Sequence, residues 1–124
     1  MEWVDEPTRD KLLADADVFV LPSYQEGIPM SLLEAMAWGL PSIVTPVGGI
    51  PDVFTDGEHG RLVQPGDVAG LAECIGALAQ DEPSRLAMGR RSRERARDFD
   101  LRHYGERLSA IYDYVLMDGP HARN

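Results

Sequence analysis

Pro22-Ser23-Tyr24-Gln25-Glu26-Gly27-Ile28-Pro29-Met30-Ser31-Leu32-Leu33-Glu34-Ala35-Met36-Ala37-Trp38-Gly39 is the stretch whose reading decides the fold. The apolar run Val18-Phe19-Val20-Leu21 leads into it. Near-continuous apolar runs of this length suit parallel strands covered on both faces. Pro22 ends the strand, because proline has no N–H to give to a ladder. Glu26 and Gly27 fall in the turn. Pro29 suits the first helical position, where its missing N–H has no intrahelical partner anyway. Gly39 suits the position just past the helix, where left-handed backbone is tolerated without a Cβ. The stretch therefore reads as a strand over 17–21, a loop carrying one acid, and a helix over 29–38 carrying a second. In open parallel α/β sheets, ligands bind beyond the carboxyl ends of the strands, beside helix N-termini.

Working outward, 7–16 reads as a helix with Leu12, Leu13 and Ala16 on one side. Leu32, Leu33, Met36 and Ala37 recur at helical spacing and are expected to pack on the sheet. A second strand over 41–45 ends at Pro46-Val47-Gly48-Gly49-Ile50-Pro51, whose paired glycines admit close backbone approach or positive φ. One helical turn over 51–54, a turn over 56–60 and a short strand over 61–64 follow. Asp67 is the expected N-cap of a helix reaching about residue 80, with Val68, Leu71, Ala72, Ile75, Leu78 and Ala79 facing inward. The next helix, about 81–98, carries Arg85, Arg90, Arg91, Arg93, Arg95 and Arg97 and reads as a largely solvated face rather than a phosphate site. A last helix over about 101–117 has the apolar stripe Leu108, Ile111, Tyr112, Val115 and Leu116, and 118–124 reads as a disordered tail. Strands alternating with helices through short connections predict an α/β class, a Rossmann-like parallel sheet with flanking helices and right-handed crossovers.

The 124 residues suit one domain, and 44% hydrophobic with 27% charged content is ordinary for a globular protein. A net charge of −9 argues against nucleic acid or an anionic membrane as the main partner. No apolar run approaches the ~20 residues of a transmembrane span. The acidic start Met1-Glu2-Trp3-Val4-Asp5-Glu6 does not read as a signal peptide. Cys74, the one cysteine, excludes an internal disulfide and fits a reducing compartment; among Leu71, Ile75 and Leu78 it reads as a buried, inert thiol. A cytoplasmic protein is expected, with peripheral attachment at the inner membrane face as the alternative. Asp15-Ala16-Asp17 precedes a buried strand, at the wrong end of a sheet for a ligand, so no metal is expected there. His59 lies in a glycine-flanked turn that explains it, and no Ser/His/Asp or Cys/His arrangement emerges.

The series Ala16-Asp17-Val18-Phe19-Val20-Leu21-Pro22-Ser23, Glu26-Gly27-x-Pro29, Leu33-Glu34-Ala35-Met36-Ala37, Gly39-x-Pro41, Gly48-Gly49-Ile50-Pro51 and Asp56-Gly57-x-x-Gly60 resembles the retaining GT-B glycosyltransferase family 4 (glycosyl transferases group 1). The resemblance runs from about Trp3 to Leu116. It implies half of the nucleotide-sugar donor domain of a two-domain enzyme, over 1–117. The N-terminal acceptor domain, and the basic pair that holds the diphosphate, are then expected upstream of Met1. Asp52 stands where the family usually has Glu, and Glu2 where a Gly commonly precedes Trp.

The motif's physics agrees with that resemblance. Amides of a first helical turn are unpaired and the dipole there is positive, so Met30, Ser31 and Leu32 are candidates to face a diphosphate or a sugar hydroxyl. Glu34 lies four residues past Met30, on the same helical row, and leans back toward that anion site. A carboxylate accepts well from two adjacent hydroxyls, and the resemblance assigns Glu34 to the ribose. It places Glu26 against the donor sugar, where a carboxylate stabilises oxocarbenium-like charge, with Gly27 and Ile28 beside it. No cofactor is implied; a UDP- or GDP-sugar is the expected substrate and partner. The competing reading is a non-catalytic remnant that binds a partner or forms a homo-oligomer through the apolar stripe of its C-terminal helix. A GT-B epimerase or phosphorylase-like enzyme fits the motifs less well.

Overall fold

The computed structural model describes residues 5–27, 30–99, 111, 114 and 115. The expectations for Ile28, for Pro29, for most of the last helix and for the 118–124 tail lie outside these residues.

Helix α1 (Glu6–Asp15) begins at Asp5, whose carboxylate accepts from the Thr8 amide at 2.8 Å. Pro7 occupies the first turn, where its missing N–H costs nothing. Strand β1 (Phe19–Leu21), helix α2 (Met30–Ala37), strand β2 (Ser42–Val44), the single turn α3 (Ile50–Val53) and strand β3 (Gly60–Leu62) follow. Helix α4 (Val68–Gln80) is capped by Asp67, which accepts from the Gly70 amide at 2.9 Å, as its sequence predicts. Helix α5 (Glu82–Arg97) is capped by Asp81, accepting from Ser84.

The three strands form one parallel sheet in the order β1-β2-β3, with Leu21 opposite Val44 and Val44 opposite Leu62. That register aligns the carboxyl ends of all three strands, so the loops after β1 and β2 emerge side by side. The central strand β2 is wholly buried. On α2, Leu32, Leu33, Glu34, Ala35, Met36 and Ala37 are all buried, because the helix is covered by the sheet and by α5. The α/β, Rossmann-like class read from the sequence is the observed one. Among the described residues no helix is long and apolar enough to cross a membrane.

Four packing expectations are corrected. Strand β1 is not covered on both faces: it has one described neighbour, Phe19 and Leu21 are half-buried, and Val20 is exposed. In α4, Val68 is 76% exposed and Ile75 43%, and Ala72 and Ala79 also face outward. The helix packs through Leu78, with Leu71 and Cys74 half-buried against Ile43 and Val63. The inward set read from the sequence is too broad, and only its Leu71 and Leu78, with Cys74 between them, meet the sheet. On α1, Leu13 is buried and Leu12 exposed. Helix α5 is not simply a solvated rod: Gly89, Ser92, Arg93 and Ala96 are buried. These residues sit at helical spacing but are small or polar, so no apolar pattern announces them.

Three arginines of α5 satisfy backbone carbonyls. Arg85 Nη1 donates to Leu78 O and Ala79 O at 2.7 and 2.8 Å, closing the last turn of α4. Arg95 donates to Asp52 O and Val53 O, and Arg91 to Glu58 O. Ile111 and Val115 are buried in the same core as Leu33 and Met36, and Tyr114 meets Trp38 edge-on at 5.4 Å. At those two positions the apolar stripe is covered by this chain itself, which removes them as the basis of the oligomer expected from it.

His59 is more than a turn residue. It is buried, its Nδ1 accepts from the Thr55 amide at 3.0 Å, and its ring meets Phe54 edge-on. Burial pushes its pKa below the ordinary 6.5, and Arg95 and Arg91 push the same way against Glu58. The unfolded chain therefore takes up a proton that the folded one resists. Stability is full above about pH 6.5 and is lost as pH falls below it, by up to about 1.4 kcal/mol per pH unit. Urea unfolding between pH 7.5 and 5.5 is expected to show this slope, and His59→Gln to flatten it.

Helices α2 and α5 meet where a Cβ on Gly89 would collide with the Gly39 carbonyl oxygen. Gly89→Ala is expected to lower stability by about 2 kcal/mol, as overpacking against backbone does. Gly76, in the interior of α4 with open space around it, gives the opposite sign: Gly76→Ala is expected to add about 0.5–1 kcal/mol. Denaturant midpoints of the two variants check both.

Candidate functional site

Because the strand ends are aligned, the β1–α2 and β2–α3 loops share one edge of the sheet. Between them lies an open cleft of about 500 Å³, lined by Tyr24, Gln25, Glu26, Gly27, Val47 and Gly48. Its described lining contains one acid and no base. Two contacts join the loops: Gly49 N donates to Gly27 O at 3.2 Å, and Thr45 Oγ1 donates to Ser23 O at 2.6 Å. Gly48 has φ +55°, and a Cβ there would fall on the Glu26 carbonyl. The second loop lies this close to the first only because position 48 has no side chain.

Glu26 is half-buried, and Ser23 Oγ donates to its Oε2 at 2.7 Å. Thr45, buried at the end of β2, orients Ser23 in turn. The carboxylate is thus held in place on the cleft wall before any ligand arrives. Gly27 is exposed beside it. The first turn of α2 presents Met30 half-buried, Ser31 exposed and Leu32 buried in the core. The Leu32 side chain therefore serves packing, and only its amide remains as a ligand group. The sequence grouped Glu26, Gly27, Met30 and Ser31, and the structure places them along one strand–loop–helix edge.

Glu34 differs from an exposed helix glutamate. It is 6% exposed, and its Oε2 lies 3.2 Å from Arg9 Nε, on a side chain that is 43% exposed. Burying a carboxylate in an apolar helix face is costly without a counter-charge, and α1 supplies one. Sequence reasoning missed Arg9. Nothing local marks it, because its partner lies on another helix after an intervening strand. Asp15, of the acidic pair before β1, is exposed and engaged by Lys11 Nζ at 2.8 Å. Among the described residues no three His, Cys, Asp or Glu side chains gather at one point.

Two carboxylates on successive parts of one strand–loop–helix unit, one on a cleft wall and one a turn inside a helix, suit a ligand rich in hydroxyls. The model of the family described as Glycosyl transferases group 1 matches residues 1–81. The chain belongs to the glycosyl transferases group 1 family. It is 40% identical over 109 residues to the N-acetyl-alpha-D-glucosaminyl L-malate synthase of Bacillus anthracis, covering 87% of this chain and 29% of that protein. It is 35% identical over 108 residues to a D-inositol 3-phosphate glycosyltransferase of Corynebacterium kroppenstedtii, covering 87% and 24%. Its structure resembles the sucrose-phosphate synthase of Thermosynechococcus elongatus with a TM-score of 0.76 and 29% identity, over 91% of this chain and 28% of that one. The α/β fold of GT-B type expected from the motifs therefore stands, and the chain spans about a quarter of the length of these relatives.

Gly48→Ala is expected to cost about 1–3 kcal/mol and to push the two loops apart, because positive φ and the collision with Glu26 act together. Gly27→Ala, with open space at its Cβ position, is expected to leave stability nearly unchanged. Thermal melts of the pair, with amide spectra of the loops, check the contrast.

Proposed function

We propose that this chain forms the donor side of a glycosyltransferase that moves a sugar from a nucleoside diphosphate to an acceptor with retention of anomeric configuration. The observation that carries the reading is Glu26: a carboxylate held by Ser23 on a cleft wall beyond the carboxyl ends of parallel strands. The geometry of α/β sheets puts ligands there.

In this reading the sugar lies in the cleft against Glu26 and Gly27, and Ile28 belongs to the same donor-binding set. The first-turn amides of Met30, Ser31 and Leu32 face the diphosphate or a sugar hydroxyl, where the helix dipole favours negative charge. Glu34, one turn further, accepts from the two adjacent ribose hydroxyls. As the bond between the anomeric carbon and the β-phosphate oxygen breaks, positive charge grows on the sugar and negative charge on the leaving diphosphate. The Glu26 carboxylate opposes the first and the amides of α2 the second. The acceptor oxygen bonds to the anomeric carbon on the face the diphosphate leaves, and its proton passes to the departing β-phosphate oxygen. Residues 1–117 constitute part of a donor domain. The acceptor-facing domain and the cations that neutralise the diphosphate belong, in this reading, to the length that the relatives have and this chain does not cover.

The two acids are separable by experiment. Glu34→Ala is expected to weaken binding of the nucleoside diphosphate and of its sugar conjugate alike, by tenfold or more, about 1.4 kcal/mol. Glu26→Gln is expected to leave the free nucleoside diphosphate unaffected and to weaken only the nucleotide sugar. Calorimetric titration with UDP, GDP and their glucose conjugates reads both. Unchanged affinities in both variants would contradict the assignment.

A further inference from the structure

We infer that Arg9 is a positioning residue for Glu34: it holds the buried carboxylate in the direction in which the carboxylate receives a ribose diol, without itself touching the ligand. The inference rests on the ribose reading of Glu34 given above.

Three observations lead to it. Glu34 is nearly inaccessible, and Arg9 Nε lies 3.2 Å from its Oε2. A helical glutamate has three side-chain torsions, and a diol is recognised best if the carboxylate plane is already set, so a cation paired with one oxygen removes part of the freedom that binding would otherwise have to remove. The backbone that carries the cation is itself anchored. Arg9 is in the second turn of α1, and its amide donates to Asp5 O at 3.0 Å, in a helix whose start is capped by the Asp5 side chain. Helix α1 leads directly into β1 and thence into the cleft loop, so the cation that aims Glu34 and the loop that carries Glu26 belong to one continuous stretch of chain. The Arg9 side chain is nearly half exposed, so its charge is partly screened and its effect on ligand affinity is moderate rather than absolute.

The test uses the 124-residue chain and calorimetric titration with the tighter of UDP and GDP, beside the 2′,3′-dideoxy form of the same nucleotide. Arg9→Met keeps the aliphatic stem and removes the charge. It is expected to weaken binding of the ribonucleotide about five- to tenfold and to leave the dideoxy form unchanged. Arg9→Lys is expected to restore affinity to within about threefold, because a positive charge beside Oε2 is what is required. In a Glu34→Gln background, Arg9→Met is expected to add nothing. Melting curves of each variant check that it folds. Equal losses for the ribo and dideoxy forms would overturn the inference, since they would mean direct contact with the phosphates or general damage. No loss in Arg9→Met, with a loss in Glu34→Gln, would overturn it while leaving the ribose reading intact. Wild-type affinity in Glu34→Gln, or no binding of either nucleotide by the wild type, would overturn the ribose reading itself and this inference with it.

Discussion

Helix α2 is packed on nearly every side, by β1 and β2 on one face and by α5 on another, and the rest of the molecule answers to that confinement. A helix so enclosed carries an apolar surface all round, and residues 32–37 do so except at Glu34. The one acid in that series is buried because the helix is buried, and the Arg9 guanidinium from α1 lies beside it as a counter-charge. The same confinement explains the small face of α5. Where α5 crosses the end of α2, Gly89 lies against the Gly39 carbonyl with no room for a methyl group, and Ser92 and Ala96 continue the narrow face.

The site follows from how α2 is entered. Parallel pairing with aligned strand ends sends the loops after β1 and β2 out together. The absence of a side chain at Gly48 lets them touch, and Thr45 and Ser23 carry the rigidity of buried β2 to the Glu26 carboxylate. The two acids therefore stand in different surroundings. Glu26 is set by the neutral Ser23 hydroxyl at the edge of an open cleft, and the buried Glu34 is paired with a half-exposed cation. A carboxylate among neutral donors is free to answer charge that develops in a ligand. A carboxylate already paired with a cation is better suited to neutral hydroxyls. That difference is the physical basis for giving them separate parts of one donor.

Much of this was legible in the sequence because it is written in short-range signals. Pro22 stops β1, Gly39 follows α2, and Asp67 caps α4, each through its own backbone chemistry. The spacing of Leu32, Leu33 and Met36 marks the buried sides of α2. What escaped has no local signature. The buried face of α5 is made of Gly, Ser and Ala and is visible only against the partner that crosses it. Helix α4 has apolar residues on much of its circumference, and only the position of β2 and Val63 selects the ones that are covered. The sequence shows His59 only as a turn residue, because its buried acceptor role depends on the Thr55 amide and the Phe54 ring, which the fold brings together. In the site, the acids were read from their motif, but Arg9 was not. An ion pair between α1 and α2 exists only once β1 has turned the chain back.

The central claim is that one strand–loop–helix unit, with the paired-glycine loop beside it, receives a nucleotide sugar. Amide chemical-shift mapping with UDP-glucose and GDP-glucose tests it most directly. The account predicts that shifts cluster at Gly27, Gly48 and Gly49 and along the first turn of α2 to Glu34, with α4 and the outer face of α5 unmoved. Shifts centred on the exposed Val68 and Ile75 side of α4, with the Glu26 loop silent, would contradict it.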